Sequence, residues 1–113
     1  MNAQEFCRIA LSLPQTSEGA HMGHADFRVA GRIFATLGYP RAGWGMVKLT
    51  PEQQDWLVRA QPDAFTPVPG AWGRTGNTNV RLRAARKPEV RDALITAWRN
   101  RAPKRVAAEL AEE

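Results

Sequence analysis

The run DFRVAGRIFATL places the strongest constraint on how this chain can fold. Phe27 and Val29 alternate with polar neighbours, Ala30-Gly31 is a typical tight-turn pair, and the apolar run IFATL follows at once. Strand side chains alternate between the two faces of a sheet, and a two-residue turn connects antiparallel strands. The run therefore predicts a β-hairpin with strands near 25–29 and 33–37.

Other segments extend this hairpin into a larger sheet flanked by helices. Alternation and turn residues predict further strands over WGMVKL (44–49), at the start of AFTPVPG, and over NTNVRLRA (77–84). Apolar periodicity and proline positions predict helices over 3–13 and 51–60, from Pro88 onward, and around Val106 and Leu110. QTSEG predicts a polar turn. The order of elements predicts an α+β fold, with an antiparallel sheet of four to five strands and helices packed mainly on one face.

Length and composition limit the class of protein. The 113 residues fit one domain, 1–113, and a hydrophobic content of 43% is sufficient for a core. No apolar run approaches the roughly 20 residues of a membrane span, and MNAQEFCRIALSL lacks the features of a signal peptide. We therefore expect a cytoplasmic protein without membrane association, as a monomer or a weak dimer. Cys7 is the only cysteine, which excludes an intramolecular disulfide.

The positive charge is concentrated near the C-terminal end of the chain. The net charge is +5, yet residues 1–80 hold seven basic and six acidic side chains, and residues 81–105 hold nine basic and two acidic ones. Such an excess is typical of a surface that meets a polyanion. It is equally compatible with a well-solvated face, and charge alone does not separate the two interpretations.

Several basic residues occupy positions from which they could contact phosphates. Arg81 and Arg83 are two apart on a predicted strand, so they share a face at a spacing of about 7 Å, and Lys48 on another strand is expected to join them. Arg28 and Arg32 flank the predicted hairpin tip. Lys104 and Arg105 begin the last helix, where their charge opposes the helix dipole and a bound anion would relieve the repulsion. Each is also compatible with a long, solvated side chain.

The only histidines, His21 and His24, lie three apart and close to Asp26. A transition-metal site usually needs three or four protein ligands, and the flanking glycines favour a polar loop that enters the hairpin. Ser12 and Ser17 lack the strand-turn-helix setting of a nucleophile, and GAWGRTG matches no phosphate-binding loop. We therefore expect no catalytic residues, no metal and no cofactor.

The tryptophans on helical segments are expected to be buried. Trp56 and Trp98 have apolar neighbours, and large aromatic residues in such patterns usually pack inward. Trp72 lies between glycines in a loop, where it could stack on a base or cover the edge of the sheet.

Four stretches of the chain resemble a known family along nearly the full length. They are CRIALSLPQTSEG, HADFRVAGRIFATL, VKLTPEQQDWLVRAQPDAFTPVPGAWGRTGNTNVRL and ALITAWRNRAPKR. With these stretches the chain resembles the MmcQ/YjbR family of small bacterial proteins. The resemblance implies an α+β fold of a double-wing DNA-binding type, with the 25–37 hairpin and the loop around Trp72 and Arg74 as candidate wings.

Together these observations favour DNA binding through the phosphate backbone, with little sequence specificity. The candidate contact residues are Arg28, Arg32, Lys48, Arg74, Arg81, Arg83, Lys104 and Arg105, with Trp72 as a stacking or pocket residue. The alternative is a protein-interaction or small-ligand adaptor, in which the basic face meets an acidic protein partner. A third hypothesis is an enzyme that uses the 18–26 loop, which would require Glu18, His21, His24 and Asp26 to converge.

Overall fold

The structure is a computed structural model, which describes residues 1–110. Its helices are α1 (Ala3–Leu11), α2 (Pro51–Ala60), α3 (Ala71–Arg74), α4 (Lys87–Arg101) and α5 (Lys104–Ala107). Its strands are β1 (Thr16–His21), β2 (His24–Val29), β3 (Arg32–Leu37), β4 (Trp44–Lys48), β5 (Phe65–Pro67) and β6 (Asn77–Arg81). Short 3₁₀ turns follow β6 at Leu82–Ala84 and α5 at Ala108–Leu110.

The strands form one antiparallel sheet in the order β1-β2-β3-β4-β6-β5. The α+β class and the hairpin on either side of Ala30-Gly31 are confirmed. The described residues contain six strands rather than the predicted four to five. None of the described helices is long and apolar enough to cross a membrane.

The additional strand is β1, which lies in the segment predicted as a polar turn and loop. It pairs with β2 so that His21 lies opposite His24, and Met22-Gly23 forms the turn with positive φ angles of 52° and 78°. The sequence of β1 does not alternate between apolar and polar residues, because β1 is an edge strand without a buried residue. The histidine segment is therefore itself a tight hairpin rather than a loop leading into one.

Local sequence signals set the beginnings of the first two long helices. Asn2 and Glu5 form a reciprocal capping box at α1, and Thr50 and Gln53 form another at α2, where Pro51 occupies the first turn. These interactions satisfy backbone N–H groups that have no partner within the helix. The cap at Thr50 also determines where β4 gives way to α2.

One face of the sheet carries the hydrophobic core and the packed helices. Gly45 and Val80 are paired across β4 and β6, and a Cβ placed on Gly45 would lie 3.1 Å from the Phe6 ring of α1. Phe27 and Val47 are fully buried in the same cluster, together with apolar residues of α1 and α4. The prediction that helices pack mainly on one face is confirmed.

The other face of the sheet carries polar side chains together with Met46. Asp26, Thr36, Met46 and Asn79 form a row through direct pairs across β2, β3, β4 and β6, and all four are buried. NTNVRLRA alternates as predicted, but only as far as Arg81. The chain then enters the 3₁₀ turn, so Arg83 is not on the strand.

Of the two tryptophans that were predicted to be buried on helices, one is buried and the other is exposed. Trp98 of α4 is fully buried, and its Nε1 donates to the Pro14 carbonyl at 2.9 Å, as expected for a core residue. Trp56 is 71% exposed, so the prediction that it is buried is wrong. Its neighbour Leu57 takes the core-facing position of α2, and adjacent residues point about 100° apart around a helix. Trp72 is 64% exposed.

Candidate nucleic-acid interface

Three arginines from two distant segments border one depression at the end of β6. Arg81 is the last residue of the strand, Arg83 lies in the following 3₁₀ turn, and Arg41 comes from the loop between β3 and β4. The depression has a volume of about 430 Å³, and Trp44 lines it directly opposite Arg81 in the β4–β6 pairing. The sheet therefore brings an aromatic ring and three guanidinium groups to one place.

A backbone hydrogen bond holds the two segments together. The Leu82 N–H donates to the Gly43 carbonyl at 3.1 Å, which fixes the loop that carries Arg41 against the turn that carries Arg83. All three arginines are exposed. Within residues 1–110, no carboxylate side chain lines the depression and no salt bridge reaches any of the three. Their charge is therefore not neutralised by a local acidic partner.

Arg41 was not among the residues predicted from the sequence. The GYPRAG loop that contains it lies 40 positions before Arg81 in the chain. Its proximity follows from the pairing of β4 with β6, a non-local contact for which the sequence contains no signal. Only the short distance between the predicted strands near 33–37 and 44–49 indicated that the loop lies at one end of the sheet.

Arg28 belongs to a different environment. Its Nε donates to Asp26 Oδ1 at 2.8 Å and its Nη2 to Oδ2 at 3.0 Å, while His21 Nδ1 lies 3.0 Å from the same Oδ2. The Asp26 side chain is fully buried, whereas that of Arg28 is 36% exposed. Bidentate pairs of this kind are the strong form of the interaction. Arg28 thus satisfies a buried carboxylate, and this occupies two of its donors.

The environment of Asp26 predicts a pH-dependent stability. The hydrogen bonds from Arg28 lower the pKa of Asp26, burial opposes them, and the contact with His21 lowers the pKa further. Because the folded-state pKa lies below that of the unfolded chain, the stabilisation is complete above the ordinary aspartate pKa. It is lost as pH falls through the folded-state value.

We expect Asp26→Asn to lower the free energy of unfolding by about 1–3 kcal/mol at neutral pH, between the values typical of exposed and buried ion pairs. Urea unfolding from neutral pH into acid should show this difference shrinking as the wild-type carboxylate protonates. Asp63→Asn is the matched control, because Asp63 is exposed and none of the salt bridges within residues 1–110 includes it. A difference that stays constant with pH would contradict the ion-pair assignment.

Arg32 and Lys48 lie near the C-terminal end of α4. Lys48 shares the sheet face of Arg81, as expected from the sequence, but the β4–β6 pairing places the two at opposite ends of these strands. Arg32 Nη1 donates to the Arg101 carbonyl at 3.4 Å, where a positive charge is favourable to the helix dipole. Lys48 Nζ lies 5.5 Å from the centroid of the Trp72 ring and 3.5 Å from Asn77 Oδ1. Burial lowers the pKa of Lys48, and the nearby positive charge of Arg101 lowers it further. Both side chains therefore have structural contacts.

The other candidates are exposed and scattered. Arg74 ends α3, and Lys104 and Arg105 form the first turn of α5 as predicted. None of the three lines the arginine depression. Of the eight cations proposed from the sequence, the structure places only Arg81 and Arg83 in this depression.

The residues of the enzyme hypothesis do not converge. His21 contacts Asp26, whereas the His24 ring stands edge-on to Tyr39 with centroids 5.9 Å apart. Glu18 pairs with Phe27 on the opposite, core-side face, where it accepts a hydrogen bond from Cys7 at 3.5 Å. Burial, followed by this contact, raises the pKa of the Cys7 thiol. Among the described residues, no group of three or more His, Cys, Asp and Glu side chains is arranged to hold a metal ion.

Comparison with known proteins supports the resemblance seen in the sequence. The structure is similar to that of Deinococcus radiodurans protein DR2400, whose family-model domain is DUF419, with a TM-score of 0.74 and 16% sequence identity. The likeness covers 97% of this chain and 88% of that one, and it concerns the fold alone. No curated protein matches the chain. The family model YjbR matches residues 11–100, and the chain therefore belongs to the YjbR family.

Proposed function

We propose that the protein binds DNA through the phosphate backbone, with Arg41, Arg81 and Arg83 as the principal contacts. The observation that supports this proposal is their arrangement around one depression, whose described lining contains no carboxylate. A guanidinium group presents its N–H donors in a planar fork that fits phosphate oxygens. The exposed arginines thus supply both charge and directed hydrogen bonds.

This binding mode predicts a strong dependence on salt. Each phosphate neutralised by an arginine releases condensed counterions. Each such contact makes the negative slope of log K against log salt steeper by about 0.9 on duplex DNA. Phosphate contacts position a protein without reading the base sequence. We therefore expect weak sequence preference. Trp44 lies beside the arginines and offers an apolar surface to a sugar or to an unstacked base.

The test compares two double variants of equal net charge. Arg81→Gln/Arg83→Gln removes two arginines of the depression, and Arg74→Gln/Arg105→Gln removes two exposed arginines outside it. Fluorescence anisotropy with a labelled duplex of about 20 base pairs is recorded from about 50 to 200 mM salt. We expect the first variant to bind about tenfold more weakly or worse. Its slope of log K against log salt should be shallower by about 2. The control should stay close to wild type.

Two results would contradict the proposal. Equal losses in both variants would mean that net charge, rather than the arginine depression, determines binding. An absence of wild-type binding even at low salt, where non-specific attraction is strongest, would exclude DNA as the ligand.

A further inference from the structure

An apolar groove runs between α2 and α4, away from the arginine depression. It has a volume of about 430 Å³, and none of its lining residues borders the depression. Leu49, Leu57 and Ala93 form its floor, and all three are buried members of the hydrophobic core. Trp56 lines the groove while remaining 71% exposed. A tryptophan left largely in water beside an apolar groove is typical of a surface that binds another molecule.

The groove is acidic, in contrast to the chain as a whole. Glu52, Glu89 and Asp92 line it, no lysine or arginine is among its lining residues, and the net charge of the chain is +5. Within residues 1–110, no salt bridge reaches Glu52 or Asp92. Such a groove repels phosphates, so it is unsuited to the DNA contact proposed above.

Glu89 carries the most specific signal in the groove. Its Oε2 lies 3.7 Å from Arg86 Nε, a long ion pair, while its Oε1 is buried and has no hydrogen-bond partner among the described residues. A buried carboxylate oxygen without a donor is energetically unfavourable. A ligand with an N–H donor and a positive charge would satisfy it.

Arginine combines the properties that this groove requires. Its guanidinium group carries five donors and a permanent charge, and its flat face stacks on tryptophan. Its aliphatic stem packs on apolar surface while the charged head meets a carboxylate. A neighbouring apolar side chain would pack against Trp56 and the core residues at the floor of the groove. The groove therefore fits a basic segment better than a purely apolar or an acidic one.

We propose that the α2–α4 groove docks a protein partner through a basic segment in which an arginine lies beside an apolar residue. The arginine contacts Trp56 and Glu89, and Glu52 and Asp92 attract the remaining positive charge. This surface shares no residue with the arginine depression, so each can be altered without changing the other.

The test follows the four tryptophan indole N–H signals by NMR while a peptide is added. The probe is acetyl-Leu-Arg-Leu-Arg-amide, and the control peptide carries citrulline in place of arginine, which keeps the shape and removes the charge. We expect the Trp56 signal, assigned with Trp56→Phe, to shift in a saturable manner with the arginine peptide. The buried Trp98 signal should move little. The citrulline peptide should bind about tenfold more weakly or worse.

Variants show whether peptide binding depends on the carboxylates of the groove or only on the net charge of the protein. Glu89→Gln and Asp92→Asn should each weaken the peptide about threefold to tenfold, whereas Glu109→Gln, an exposed position outside the groove, should not. If loss of the contact with Arg86 destabilises the Glu89→Gln variant, Asp92→Asn alone tests the role of the carboxylates. An unmoved Trp56 signal, or equal binding of both peptides, would overturn the proposal. Binding of the DNA duplex by these variants should be unchanged, so failure of either proposal is recognised separately.

Discussion

Replacing Gly76 with alanine is expected to lower the stability of the domain more than any other substitution proposed. Gly76 joins α3 to β6 with φ at +111°, a conformation that L side chains rarely adopt. A Cβ at this position would collide with the Leu49 carbonyl and with backbone atoms of Thr50, the residue that caps α2. Backbone atoms in a capped helix start cannot move aside as a flexible side chain can.

The expected loss is about 4 kcal/mol or more, which places this change among the exceptional ones. A domain at the lower end of the usual total stability of about 5–15 kcal/mol would be left marginal or unfolded. Urea unfolding followed by circular dichroism measures the loss. Gly70→Ala is the matched control, because Gly70 also has a positive φ, +81°, but a Cβ there meets no atom within 4 Å.

The control separates strain from collision. Gly70→Ala should cost about 1–3 kcal/mol, because φ +81° and ψ −154° is a backbone conformation that is essentially confined to glycine. If both variants lost the same amount, the close approach between β6 and the start of α2 would not be a determinant of stability.

Trp98→Ala is expected to produce the second large effect, about 3–5 kcal/mol, as usual for a buried aromatic residue reduced to alanine. Trp98 is fully buried, and its Nε1 hydrogen bond to Pro14 joins α4 to the segment that follows α1. Its removal leaves a cavity in the core and a carbonyl without its donor. Trp98→Phe retains most of the volume and should cost less, which apportions the loss between packing and the hydrogen bond.

Trp56→Ala is the control for this prediction. With 71% of its surface in water, Trp56 should change the free energy of unfolding by no more than about 0.5 kcal/mol. The same variant removes the aromatic wall of the α2–α4 groove, so we expect it to lose peptide binding while it remains folded. Comparable destabilisation by Trp56→Ala and Trp98→Ala would contradict the placement of α2.

The two tryptophans show where sequence periodicity reaches its limit. Both lie in helical segments with apolar neighbours, and both were predicted to be buried. In α4 the apolar residues form a face that packs onto the sheet, whereas in α2 Leu57 is the only buried residue. Periodicity identifies an amphipathic helix, but how much of its apolar face is covered depends on the neighbouring elements.

The candidate site shows the same division. Arg81 and Arg83 were predicted as contact residues because they lie two apart on a predicted strand, although Arg83 lies in the turn that follows it. Arg41 lies beside them only because β4 pairs with β6. Arg28 forms a salt bridge with Asp26 because the sheet buries that carboxylate. Basic residues can be counted from the sequence, but their partners are set by contacts between distant segments.

Local sequence patterns specify the α+β class, the hairpin at Ala30-Gly31, the capping boxes of α1 and α2, and the resemblance to the YjbR family. These features depend on neighbours within a few positions, whose turn, capping and periodicity preferences are local. Contacts between distant segments instead pair β1 at the edge of the sheet, bring three arginines to one depression, and place Trp56 beside an acidic groove. These features depend on which surfaces pack together, and burial and charge pairing are properties of the folded chain.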